Sequence, residues 1–198
     1  SEYEGLSRFF TTVFTLVQAG MTVLCALLSF TAPWVAAVLL QGETYGAWPM
    51  IGVLLLSNLF NVFATFYGTV YSTTMHTTFI MKTTVFGAIS CIVLTPALIP
   101  FIGTYGACVA SAIGQGLVFV MRAIDSRKHL RFDVGWNYLL PTIAVLAVQA
   151  LATSLQFPSW QPISAACLVL VLAIQGLRVV RFARSSEGLL RIVRNRKS

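Results

Sequence analysis

The stretch FIMKTTVFGAISCIVLTPALIPFIGTYGACVASAIGQGLVFVMR, residues 79–122, decides the class of this chain. Between Lys82 and Arg122 it carries no charged side chain, and its natural break is the Gly103–Thr104 pair. A helix needs roughly 20 mostly apolar residues to cross a bilayer. Two such lengths fit here, 78–102 and 105–124, and four more windows lie outside them, at 9–40, 46–72, 137–156 and 160–182. Over all 198 residues, 57% are hydrophobic and 10% charged, with a mean hydropathy of +0.82. A soluble domain carries about a quarter charged residues, so this chain cannot cover a water-facing surface. Strands of a membrane barrel alternate apolar with polar, whereas these runs are continuous. The sequence predicts an all-α polytopic membrane protein with six transmembrane helices. The first window exceeds one crossing and contains Pro33, which predicts a tilted or kinked helix.

The charges orient the spans. Arg8 precedes the first, Lys82 opens the third, Arg122 ends the fourth, and Arg127, Lys128 and Arg131 lie between the fourth and fifth. Arg178, Arg181, Arg184, Arg191, Arg194, Arg196 and Lys197 close the chain. With six crossings these positions share one side, and the opposite connections at 41–46, 103–104 and 156–160 hold no Lys or Arg. The positive-inside rule then places both termini in the cytoplasm. The net charge of +7 is thereby topological. Anionic lipid explains the basic end more simply than nucleic acid does. The expected organisation is a six-span lobe over 1–184 and a basic tail over 185–198, the tail lying as an interfacial helix on anionic headgroups. The start SEYEGLSR is net negative and the first apolar run is too long for a cleaved signal peptide. Cys25, Cys91, Cys108 and Cys167 are scattered through the spans, without the clustering that metal or disulfide chemistry needs. They read as small buried hydrophobes.

Few polar residues interrupt the spans. Gln18 lies in the first, and Asn58 and Asn61, three apart, share a face of the second near Thr65. Such side chains either bond between helices or line a wet cavity. Because lipid offers them no partner, a cavity lined by the first and second spans is expected. Tyr67 and Tyr71 fit either an interfacial anchor or a sugar contact. Lys82 reads as the one cation within a span, about a turn inside, either snorkelling to headgroups or attracting phosphate. No acidic residue falls inside the windows. His76 and His129 lie in connections with no catalytic or metal spacing around them, so neither an enzyme nor a metal site is expected.

The tetrapeptide TYGA occurs at 44–47 and again at 104–107, each time opening a helix. Gly42 and Gly103 suit a left-handed helix end, and Tyr45 and Tyr105 suit the headgroup level. Gly106, Ala110 and Gly114 then recur every four residues, a stripe that permits close helix contact. The flanks do not otherwise match, so the two copies are separate junctions.

In order, Ala32-Pro33, LLQGETY (39–45) with Gly42, Glu43 and Tyr45, FYGTVYSTT (66–74), and LIPFIGTYGACVAS (98–111) with Pro100, Gly103, Gly106 and Ala107 form a series. It resembles the C-terminal half of polysaccharide-exporting flippases of the O-antigen type. Those belong to the multidrug/oligosaccharidyl-lipid/polysaccharide exporter superfamily. The resemblance covers about residues 6–135. It implies one six-helix lobe of a two-lobe alternating-access transporter in a bacterial inner membrane. The substrate would be a lipid-linked oligosaccharide. A coupling ion, H+ or Na+, is possible, and no other cofactor and no nucleic acid is expected. A single lobe implies either a missing N-terminal lobe or a second copy, and the start at SEYEGL favours a fragment. Gln18, Asn58, Asn61, Tyr67, Tyr71 and Lys82 are then the candidate substrate contacts. Glu43 suits a helix cap or an ion contact. Two rivals stand beside it, a multidrug efflux lobe and a non-transporting scaffold for polysaccharide assembly.

Overall fold

A backbone amide in hydrocarbon has no water to bond, so each apolar run must satisfy its own peptide groups by coiling. A computed structural model describes residues 2–39, 47–73, 77–129, 135–155 and 160–195. Within them it describes every side chain except 2–4, 6–8, 39, 72–73, 77, 127–129 and 182–195. The helices are α1 (Glu2–Leu39), α2 (Ile51–Thr73), α3 (Thr77–Ile102), α4 (Tyr105–His129), α5 (Trp136–Ser154) and α6 (Trp160–Asn195). All six are long and apolar enough to cross a membrane, and no strand occurs among the described residues. The expected all-α, six-span architecture is the one observed. Gly42, Glu43 and Tyr45 lie outside the described residues.

Details of the windows shift. The second helix begins at Ile51, after a 3-10 turn at Ala47–Met50 that contains Pro49. Pro33 sits inside an unbroken α1, as Pro96 and Pro100 do in α3. The segment assigned to the tail continues α6 without interruption as far as Asn195.

The α3–α4 junction follows directly from sequence. Gly103 takes φ 63°, a left-handed conformation that side chains resist, and its N–H bonds the Ile99 carbonyl at 2.8 Å to cap α3. Gly106 then brings the α4 backbone against that of α3. A Cβ placed there would lie 2.7 Å from Leu98 C and 2.9 Å from Ile99 N. Further along, Ala110 is buried, and a Cβ on Gly114 would lie 3.3 Å from the Gly87 carbonyl oxygen. The small-residue stripe is the seam of the hairpin.

Packing is uneven. α4 lies against both α2 and α3, which scarcely touch each other, while α1, α5 and α6 form a second group joined to the first through α2. The core is aromatic where the groups meet. Phe14 of α1 faces Phe66 at 5.1 Å and Phe63 at 5.7 Å on α2, and Tyr67 packs on Phe119 of α4 at 5.9 Å. Such pairs add about 0.5–1.5 kcal/mol each beyond area burial. Gln149 of α5 ties the second group, donating to the Ala26 carbonyl at 3.0 Å and to Ser164 at 2.9 Å. The starts of α1, α3 and α5 and the ends of α2, α4 and α6 share one end of the bundle. Lys82, Arg122, Arg178 and Arg181 lie towards it, and it is called the basic end below.

Candidate functional site

Because α2 and α3 diverge on either side of α4, they leave a cavity of about 760 Å³ between the three helices. Each wall follows helical spacing. Asn61, Thr65, Gly68 and Thr69 come from α2, Ile80, Thr84, Gly87, Ala88 and Cys91 from α3, and Ser111, Gly114, Gln115, Val118 and Arg122 from α4. From Ser111 to Arg122 the α4 wall extends about 16 Å at the rise of a helix. Most of the lining surface is apolar, with the hydroxyls of Thr65, Thr69, Thr84 and Ser111 and the carboxamides of Asn61 and Gln115 set into it. Ser57 and Ser111 bridge α2 to α4 at 2.9 Å.

Arg122 closes the basic end of this cavity and is 6% exposed. Its Nε donates to Thr83 Oγ1 at 3.0 Å, Nη1 to the Ala64 carbonyl at 2.7 Å, and Nη2 to the Ile80 carbonyl at 3.3 Å and Thr84 Oγ1 at 2.8 Å. All four acceptors are neutral oxygens. The residue sits within the span Tyr105–Ser126, where a cation costs several kcal/mol unless water or an anion reaches it. Tyr71 secures the same turn, its hydroxyl donating to Asp125 Oδ2 at 3.0 Å and the Arg122 carbonyl at 3.2 Å. A cavity with mixed apolar and neutral hydrogen-bonding walls and a guanidinium at one end can hold a ligand that is anionic at one end and carries both hydroxyls and apolar faces beyond. Comparison with known proteins adds nothing to this geometry: no family model, curated protein or solved structure matches the chain.

Several expectations need correction against this arrangement. The cavity is lined by α2, α3 and α4, not by the first and second spans. Gln18 is fully buried against α6, where its Oε1 accepts from Arg178 Nη1 and its Nε2 meets no acceptor among the described residues. Lys82 is not the one cation within a span. Arg122 and Arg178 lie inside spans and are each 6% exposed, because α3 and α1 respectively supply them with oxygens. Nor are the spans free of acid, since Asp125 falls within Tyr105–Ser126, just past the window drawn at 124. Cys25, Cys108 and Cys167 are buried as expected, but Cys91 is half-buried and lines the cavity.

The remaining candidates divide. Asn61 lines the cavity. Asn58, one turn further from the basic end, is exposed and outside the lining, as is Lys82 on α3. Tyr67 and Tyr71 are buried in the aromatic core and beside Asp125, away from the lining. The residues that sequence reading passed over are Arg122, Thr84, Gln115 and Ser111. Their signal was present as spacing: Ser111, then the Gly114–Gln115 pair, Val118 and Arg122 recur at steps of three or four residues along one face of α4.

Proposed function

We propose that this chain is a lobe of a lipid-linked oligosaccharide flippase that serves cell-surface polysaccharide synthesis. Its setting is a bacterial inner membrane, with the basic end cytoplasmic. The observation that carries the reading is a cavity that presents six hydroxyl and carboxamide side chains among apolar ones, ended by a buried Arg122 whose hydrogen-bond acceptors are all neutral. A lipid pyrophosphate supplies the missing anion, the hydroxyls and carboxamides set among the apolar lining suit the hydroxyls and the apolar ring faces of neutral sugars, and the lipid tail stays in the bilayer beside α3. The exposed Asn58 and Asn61 on α2 require protein or water opposite them, which suits a facing lobe or a second copy. The coupling ion of such a cycle is H+ or Na+. A multidrug efflux lobe is the second reading, favoured by Asp125 within a span. The deciding experiment is genetic. Deleting the gene should abolish surface polysaccharide, wild-type protein should restore it, and Arg122→Gln at equal membrane levels should not. Normal polysaccharide in the deletion strain would refute the flippase reading.

A further inference from the structure

Arg122 does more in this geometry than end the cavity. It donates to three oxygens on the first two turns of α3, those of Ile80, Thr83 and Thr84, and to Ala64 on α2. That part of α3 is buried at Thr83 and otherwise largely exposed. The helix packs on α4 but scarcely on α2, and Met81, Lys82, Val85 and Phe86 are exposed. The backbones of α3 and α4 close up next at Gly87 and Gly114. Between that contact and the start of α3, the Phe79 ring also packs against Tyr71, with centroids 5.3 Å apart.

Release from Arg122 costs α3 little. Thr83 Oγ1 already donates to the Phe79 and Ile80 carbonyls at 3.1 and 2.9 Å, and Thr84 Oγ1 to Ile80 at 2.8 Å, so neither hydroxyl loses an acceptor. For the guanidinium the balance runs the other way. Neutral oxygens leave its charge uncompensated, whereas a phosphate forms charge-assisted, bidentate bonds roughly twice as strong. Among the described residues, four hydrogen bonds leave one Nη1 hydrogen over, a first foothold for the anion.

We infer that Arg122 is a latch holding the first two turns of α3 across the cavity mouth, and that a phosphate group entering the cavity releases it. This rests on the cavity reading above and adds to it how the site opens. Gly87 and Gly114 form the fulcrum. A bend of about 20° there, over the lever of roughly 10 Å to Ile80, moves the start of α3 by about 4 Å.

Spin labels at Met81→Cys on α3 and Ile124→Cys on α4 would read this distance. Both sites are exposed, and Cys91→Ala removes the native thiol that competes, the other three being buried. Pyrophosphate is the probe, with its binding followed separately by calorimetry. Saturating pyrophosphate should lengthen the mean distance by about 3 Å, since Met81 stands roughly 9 Å from the fulcrum. Arg122→Gln should be long without it and unresponsive. Should that variant fail to fold, the Thr83→Val, Thr84→Val pair keeps the guanidinium. It should also start long while still binding pyrophosphate. Binding of pyrophosphate by the wild type with no change in distance would overturn the latch and leave the cavity reading standing. Absence of binding would overturn both.

Discussion

Gly106→Ala is the sharpest test of the α3–α4 hairpin. The added methyl would meet Leu98 C at 2.7 Å, Leu98 O at 2.8 Å and Ile99 N at 2.9 Å, all of them backbone atoms. No rotamer change relieves a backbone contact, so α3 must retreat by about 0.7 Å to reach ordinary van der Waals separation. Overpacking of this kind costs about 1–3 kcal/mol, which for a chain of this size lowers Tm by about 2–12 °C. Gly20 and Gly176 supply the control, because an added Cβ meets nothing within 4 Å at either position. There alanine should hold or raise stability, by up to about 1 kcal/mol from helix propensity. Gly114→Ala should fall between, its nearest atom being the Gly87 carbonyl oxygen at 3.3 Å. Melting followed by tryptophan fluorescence in one detergent would rank the variants. If Gly106→Ala melts within about 1 °C of wild type, or Gly20→Ala loses as much as Gly106→Ala, the close backbone approach is not what holds the hairpin.

Two further outcomes follow from particular side chains. Cys91 should be the first of the four native cysteines to react with a water-soluble maleimide, because it alone of the four lines the cavity while the other three are buried out of the reagent's reach. Peptide mass mapping would show this, and equal labelling of Cys25 would contradict it. Gln149→Ala should destabilise the α1–α5–α6 group by about 1–3 kcal/mol, since it strands the buried Ser164 and Ala26 acceptors. An unchanged melting temperature would show that water replaces the amide.

Much of the scaffold was legible because the bilayer leaves few options. Continuous apolar runs have to be helices, and Gly103, Gly106, Ala110 and Gly114 carry the geometry of their junction in their own chemistry. What escaped sequence reading depended on distant partners. Arg122 stands at the end of an apolar run, where a cation is ordinarily topological. Only the packing of α3 beside it brings Thr83 and Thr84 to the guanidinium. Gln18 looked like a cavity residue because its partner, Arg178, lies at the far end of the chain. Tyr67 looked interfacial by position, yet Phe14 and Phe119 enclose it. A lone polar residue in a span reveals that it needs a partner, and the fold decides which.

The central claim is that the cavity takes an anionic, sugar-bearing lipid through Arg122. Equilibrium binding of a short-chain polyprenyl-pyrophosphate sugar to the purified protein tests it most directly, since binding does not require a complete transport cycle. Removing one side of a buried charge pair costs about 2–5 kcal/mol, so Arg122→Gln should weaken binding by about 30-fold or more. Arg122→Lys should recover part of the loss, keeping the charge but not the fork. Lys82→Ala, at an exposed position outside the lining, should change affinity by less than about fivefold. Equal affinity in wild type and Arg122→Gln, or a larger loss from Lys82→Ala, would contradict the account.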